Sequence, residues 1–228
     1  MGRTALCLIA LTAPAWLAAQ QNADDTTPKR IFGIIPNYRT SPPLNPYVPL
    51  TSKQKFKMAW DDSVDRGTFI LAAAFAGNAD LGRSSPSFGN GVAGYAKYSG
   101  TAYADFVIGN AMTEGILPSV LHQDPRYFRR GTGSVPSRLW YAVSALLWVH
   151  ADSGRMEFNY SEVAGNAAAA AIANLYYPDN RTASNAVEKL AIQIGVDMAG
   201  NVLKEFSPDL SRKLSRHRQE SVAFLRGD

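Results

Sequence analysis

The sequence predicts an all-α fold, a single Gly/Ala-rich bundle of about six helices preceded by an extended, proline-rich N-terminal arm. Three features point there. Apolar residues recur at helical spacing from residue 51 onward. Helix-start signals stand ahead of most of those stretches. No stretch shows the alternation of a half-buried strand. With 228 residues, 46% hydrophobic and 18% charged, the chain has the composition of one globular domain with a sizeable core.

The elements follow in order. MGRTALCLIALTAPAWLAAQ has one cation, Arg3, then an apolar run and a small-residue exit at Ala18-Ala19. It reads as a secretory signal peptide over 1–19. Cys7 lies inside it, so the mature chain would have neither disulfide nor thiolate chemistry. Residues 20–50 hold six of the 13 prolines, and proline favours extended backbone. Within this arm RIFGIIPNY carries Ile31, Phe32, Ile34 and Ile35, expected to lie in a groove of the bundle. The bundle spans 51–206. Thr51 and Gln54 form a capping box, and Phe56, Trp60 and Val64 make one apolar face behind it. TFILAAAFAGNADLG is a second helical stretch. Residues 82–100, with five glycines and a proline, read as a loop. Thr101–Leu121 is helical, with a bend at Pro118. Ser134 caps VPSRLWYAVSALLWVH, Asn159 starts a helix that stops at Pro178, and Thr182–Phe206 is another. Ser207-Pro208-Asp209 starts a separate basic C-terminal helix over 207–228.

Beyond the leader, the apolar uncharged runs Gly67–Ala79 and Val163–Pro178 fall short of the ~18–20 apolar residues of a membrane span. Their Gly/Ala content and flanking aromatics suit a membrane interface instead. The net charge of +4 and pI near 9.2 suit an anionic surface and are too weak a bias for nucleic acid.

A Gly-Asn pair recurs inside four expected helices, at 77–78, 109–110, 165–166 and 200–201. Glycine and asparagine both weaken helices. Close helix crossings with amide hydrogen bonds would offset that, making Asn78, Asn110, Asn166 and Asn201 a polar network. Three of these asparagines share a helix face with an acid four residues away: Glu114, Glu162 and Asp197. If the faces converge, these acids are candidates for acid–base catalysis, with His122 as a possible partner. The Glu-x-x-His pairs of a di-iron bundle are missing and the three histidines lack ligand spacing, so neither metal nor cofactor is expected. GNGVAG matches a nucleotide-binding spacing, but no strand precedes it.

LHQDPRYFRRG, 121–131, concentrates charge behind an apolar helix. His122 sits where a helix C-terminus favours a cation. Arg126, Arg129 and Arg130 would point together on one helical turn, and guanidinium forks suit phosphate, so they form an anion-binding candidate.

FGIIPNYRT, KFKMAWDDS, LPSVLHQDPRYFRRG, FNYSEVAGNAAAAAIANLYYPDNRT and NVLKEFSPDL together resemble a family of uncharacterised exported bacterial proteins, over about residues 31 to 210. The resemblance implies export and brings no activity, substrate or site. The expected function is that of a non-enzymatic envelope protein, in the periplasm or at a membrane, contacting anionic lipid or another envelope component. The alternatives are a membrane-surface hydrolase built on the carboxylate–amide cluster and a small-molecule-binding bundle.

Overall fold

The computed structural model describes residues 28–44 and 46–226, the segment 216–226 as backbone only. The signal-type leader lies outside the described residues. The chain is 65% helical. In order, the helices are α1 (Ser52–Ser63), α2 (Arg66–Leu81), α3 (Gly91–Asn110), α4 (Leu117–Val120), α5 (Val135–Ser144), α6 (Tyr160–Tyr176) and α7 (Ala183–Arg226). A π-helical segment, Ala111–Ile116, joins α3 to α4, so Gly91–Val120 is one interrupted helix and the bundle has six. Pro118 is accommodated in the first turn of α4, where the missing N–H costs least.

The fold is not purely helical. Three two-stranded sheets join its parts. Strands β1 (Arg30–Ile31) and β2 (Ile35–Pro36) form a hairpin in the arm. β3 (Thr40–Ser41) runs parallel to β4 (Tyr127–Phe128), and β5 (Trp148–His150) pairs antiparallel with β6 (Met156–Phe158). Strands of two or three residues are too short to show alternation, which is why the sequence reads as all-α. WVH therefore leaves the helix expected to run to His150; α5 ends at Ser144.

Several helix boundaries agree with the start signals. The capping box is present, with Gln54 N–H donating to Thr51 Oγ1 at 3.3 Å and Thr51 N–H to Gln54 Oε1 at 2.9 Å. Asn159 Oδ1 accepts from Glu162 N at 3.0 Å. Two further boundaries differ. The expected loop over 82–100 is helical from Gly91, because Asn90 opens a 20-residue helix that tolerates its glycines. The expected break at Ser207 does not exist: α7 is a single 44-residue helix through Pro208. Ser207 and Pro208 therefore lie inside a helix, and Ser207 is buried.

The interior mixes small apolar residues with many polar and charged ones, and many large apolar side chains lie outside. The largest fully buried side chains are Lys55, Gln123, Glu205, Asp124, Pro118, Ser85 and Ser161. α1 shows the inversion most plainly. Its buried positions are Lys55, Ala59, Asp62 and Ser63, while Phe56, Trp60 and Val64, expected to face the core, are exposed, Trp60 by 66%. On α2 the buried residues are Gly67, Thr68, Ala72 and Ala76, and Phe69 and Ile70 lie outside. Ile31 of the arm is buried, but Phe32 and Ile34 project outward rather than into a groove. Small residues let the helices approach; the larger apolar ones are left at the surface. A hydrophobic cluster, Phe88 and Tyr98 with Ala72, Ala76 and Ala102, sits between α2, α3 and the turn that joins them. Among the described residues no helix is long and apolar enough to cross a membrane.

Of the four Gly-Asn pairs, only Gly165 lies at a close crossing. A Cβ there would stand 2.9 Å from Thr113 Cγ2 and 3.2 Å from the Met112 carbonyl carbon. Gly77, Gly109 and Gly200 have open space beside them.

Candidate functional site: a buried charge cluster and two cavities

Parallel pairing of β3 with β4 draws the arm across the bundle. Tyr127 N–H donates to Arg39 O at 2.8 Å and Arg129 N–H to Ser41 O at 2.9 Å. Arg39 is thereby placed with its side chain directed inward. Its Nε donates to Pro125 O at 2.9 Å, and its two Nη atoms bond Glu162 at 3.3 and 2.6 Å. Nε also stands 3.9 Å from Glu114 Oε1.

The expected convergence of Glu114, Glu162 and Asp197 is therefore present, around a cation from the arm. Glu114 comes from the π-helical segment, Glu162 from the first turn of α6 and Asp197 from α7. Asp62 of α1 and Lys204 of α7 complete the group, four carboxyls against two cations. Burial sets the protonation. It pushes Glu114 well above the usual carboxylate range, and neighbouring Asp62 adds to this while Arg39 opposes it. Burial also raises Asp62 to about 6 and, with Glu162, Asp197 to about 7. Burial and Arg39 lower Lys204. Burial opposes charge on Arg39, but Glu162 and Glu114 more than offset it, so its pKa is raised. Glu114 Oε2 is buried and accepts no hydrogen bond. A proton on either Glu114 or Asp62 converts their contact into one.

The polar network is partial. Asn166 Nδ2 donates to Asp197 at 2.8 Å and Asn110 Nδ2 to Ser63 Oγ at 3.3 Å. Asn201 lines a cavity of about 230 Å³ beside Arg39 and Glu162. Asn78 is exposed and stands outside the network. His122 is also apart. It occupies φ +55° just past α4, where Gln123 N–H closes onto Pro118 O at 3.0 Å, a helix-ending bond that tolerates a left-handed residue. Its side chain is 82% exposed and approaches Asp152 at 3.8 Å. Among the described residues no group of three His, Cys, Asp or Glu side chains is placed to hold a metal ion.

LHQDPRYFRRG is not a helical turn, so its arginines do not point together. Asp124 is fully buried, takes Tyr47 OH at 2.8 Å and pairs with Arg126, whose Nη2 also reaches Val48 O at 2.6 Å. Arg129 Nε bonds Glu205 O at 2.9 Å and Nη2 stands 3.4 Å from Asp209. Arg130 is exposed and bonds Ser137 Oγ at 3.0 Å. Arg129 and Arg130 both line a second cavity of about 400 Å³, which shares Phe128, Tyr141 and His150 with the first. Beneath this loop lies Glu205, fully buried, each carboxylate oxygen accepting two hydrogen bonds. Oε1 takes Arg138 Nε at 2.7 Å and Gly131 N at 2.8 Å; Oε2 takes Tyr127 OH at 2.8 Å and Arg130 N at 3.0 Å. Burial works against this charge, but Arg138 and the other donors hold its pKa below the usual value.

Sequence reasoning missed Arg39, Asp62, Lys204 and Glu205. A signal existed for α1, where Lys55, Ala59 and Asp62 share a face at spacings of four and three. None existed for Arg39, whose position depends on a parallel pairing across the chain. Comparison with protein-family models, with curated proteins and with solved structures gives no match to this chain, so the site is read from its own chemistry.

Proposed function

We propose that the chain is a non-enzymatic envelope protein that rests on a lipid surface. The observation that supports this is the inverted polarity: helix after helix turns small or charged residues inward and large apolar ones outward. Phe56 and Trp60 on α1, Ile70 on α2, Trp140 on α5 and Leu175 on α6 are all exposed. Exposing such side chains to water gives up the ~25 cal/mol per Å² that burial supplies, whereas a lipid surface recovers it. Small-residue contacts between helices, with large apolar side chains turned outward, suit a protein lying at the interface. The charge of +4 favours anionic lipid. Export is supported by the leader-type sequence at the N-terminus.

The test is sedimentation with phosphatidylcholine vesicles, with and without anionic lipid, of the wild type and Trp60→Glu. Trp60→Glu is expected to weaken vesicle binding by tenfold or more, roughly the loss of one buried aromatic, with an unchanged melting temperature. Undiminished binding, or a stable dimer in solution that covers Trp60, refutes the lipid reading.

A further inference from the structure

The 400 Å³ cavity brings aromatic walls and arginines together. Its walls are apolar and aromatic, with Leu44 and Tyr47 from the arm facing Phe128 and Tyr141. Arg129, Arg130 and His150 also line it. The charges around it do not balance. Arg129, Arg130, Arg138 and Arg212 stand against two acids, Glu205 and Asp209. Glu205 has all its lone pairs filled, and Asp209 is shared by Arg138 at 2.6 Å, Arg129 at 3.4 Å and Arg212. Arg130 is the member whose guanidinium has no acidic partner among the described residues: it bonds only Ser137 Oγ at 3.0 Å and sits 5.9 Å from the Tyr141 ring. His150 is held by stacking on Tyr47 at 5.2 Å and by the edge of Phe128 at 4.9 Å. Neither ring nitrogen bonds a described residue. Because burial lowers the pKa of His150, the ring is neutral near pH 7 and offers one N–H.

We propose that this cavity binds a phosphate monoester with an apolar body, the phosphate against Arg130 and His150 and the chain or ring against Leu44, Tyr47 and Phe128. A fork-shaped donor beside a second N–H suits an anion with several oxygens, as a phosphate has, better than a lone halide. The volume suits a small amphiphile. The proposal deepens the lipid-surface reading, since the same chemistry occurs in a lipid headgroup and in a soluble phosphate ester.

The test is calorimetric titration of the full chain with n-octyl phosphate, n-octanol and inorganic phosphate, none of which needs a membrane. The expected order of affinity is octyl phosphate first, by at least tenfold over either fragment. Arg130→Gln is expected to weaken octyl phosphate about tenfold, the value of one charge-assisted contact at an open site, with an unchanged melting temperature. Leu44→Ala is expected to weaken octyl phosphate and leave inorganic phosphate unaltered. Octanol binding as tightly as octyl phosphate overturns the proposal whatever the variants do; so does an Arg130→Gln protein of unchanged affinity. Vesicles containing phosphatidic acid separate the two sources. If Arg130→Gln removes the increment over phosphatidylcholine vesicles, the ligand is the lipid headgroup. If it removes only octyl phosphate binding, the ligand is a soluble ester. Loss of all vesicle binding with octyl phosphate still bound sinks the lipid-surface reading and leaves the cavity assignment standing.

Discussion

Glu205→Ala is the sharpest perturbation the structure offers. Glu205 is completely enclosed, and its two oxygens take four hydrogen bonds, from Arg138, Gly131, Tyr127 and Arg130. Truncation leaves two backbone N–H groups and the Tyr127 hydroxyl without an acceptor. At roughly 1 kcal/mol each, the low end for a stranded donor, they cost about 3 kcal/mol. Arg138 loses its fully buried partner but keeps Asp209 at 2.6 Å, so its share falls below the ~3–5 kcal/mol of a broken buried pair. The expected loss is about 4 to 6 kcal/mol, comparable with the whole stability of many domains. Glu205→Gln retains one acceptor oxygen but turns an N–H₂ toward two other donors, and about 2 to 3 kcal/mol is expected. Urea unfolding followed by far-ultraviolet circular dichroism reads both, through the midpoint at constant slope. A Glu205→Ala protein within about 1 kcal/mol of wild type would refute the reasoning, because it would mean the loop 127–131 finds other acceptors at no cost.

Two further outcomes follow from packing and protonation. Gly165→Leu is expected to lose about 1 to 3 kcal/mol by driving α6 off Thr113, whereas Gly109→Ala, with open space at its Cβ, is expected to gain up to about 1 kcal/mol; thermal melts of both settle it. Stability is expected to fall as pH rises from about 4 to 7. Asp62 at about 6 and Asp197 at about 7 hold protons in the fold that the unfolded chain releases near 4, a difference on the order of 3 kcal/mol for Asp62. Glu205, with a lowered pKa, acts oppositely: its stabilisation is present above about 4.5 and is lost as pH falls through its folded value. Lys204 opposes the downward trend only above its own folded pKa. Urea midpoints should therefore peak near pH 4, and a profile flat from 5 to 8 would contradict the protonated cluster.

The helices were legible because their signals are local: the Thr51–Gln54 box and the Asn159 cap act within one turn. The acids Glu114, Glu162 and Asp197 were legible because four-residue spacing to an asparagine is also local. What failed was the direction of burial. Hydrophobic periodicity marks the face of α1 that carries Phe56 and Trp60, but the side that faces inward is a property of the surroundings, and here charged groups are enclosed by mutual pairing. The short strands escaped for a different reason. β3 and β4 are two residues each, and their partnership spans 87 positions from Thr40 to Tyr127. No pattern within a single window encodes that. The arginines of 126–130 were read as a unit because a helix was assumed; extended backbone at Tyr127–Phe128 sends Arg126 to Asp124 and Arg129 to Glu205 and Asp209.

The placement of Arg39 governs when the molecule can become native. Its bonds close chain loops of 86 residues to Pro125 and 123 residues to Glu162, among the most non-local contacts of the arm. Closing such loops costs entropy before any contact rewards it, and chains dominated by long separations fold slowly. Until the arm has crossed the bundle, Glu162 faces Glu114 and Asp197 with Lys204 as the other cation at hand. The N-terminal segment is thus made first and seated late, so the nascent chain stays pliable until most of its length is available. A peptide of residues 28–50 added to a chain lacking them would act as a ligand of the unfinished bundle, and its capture would be the final, bimolecular step of folding.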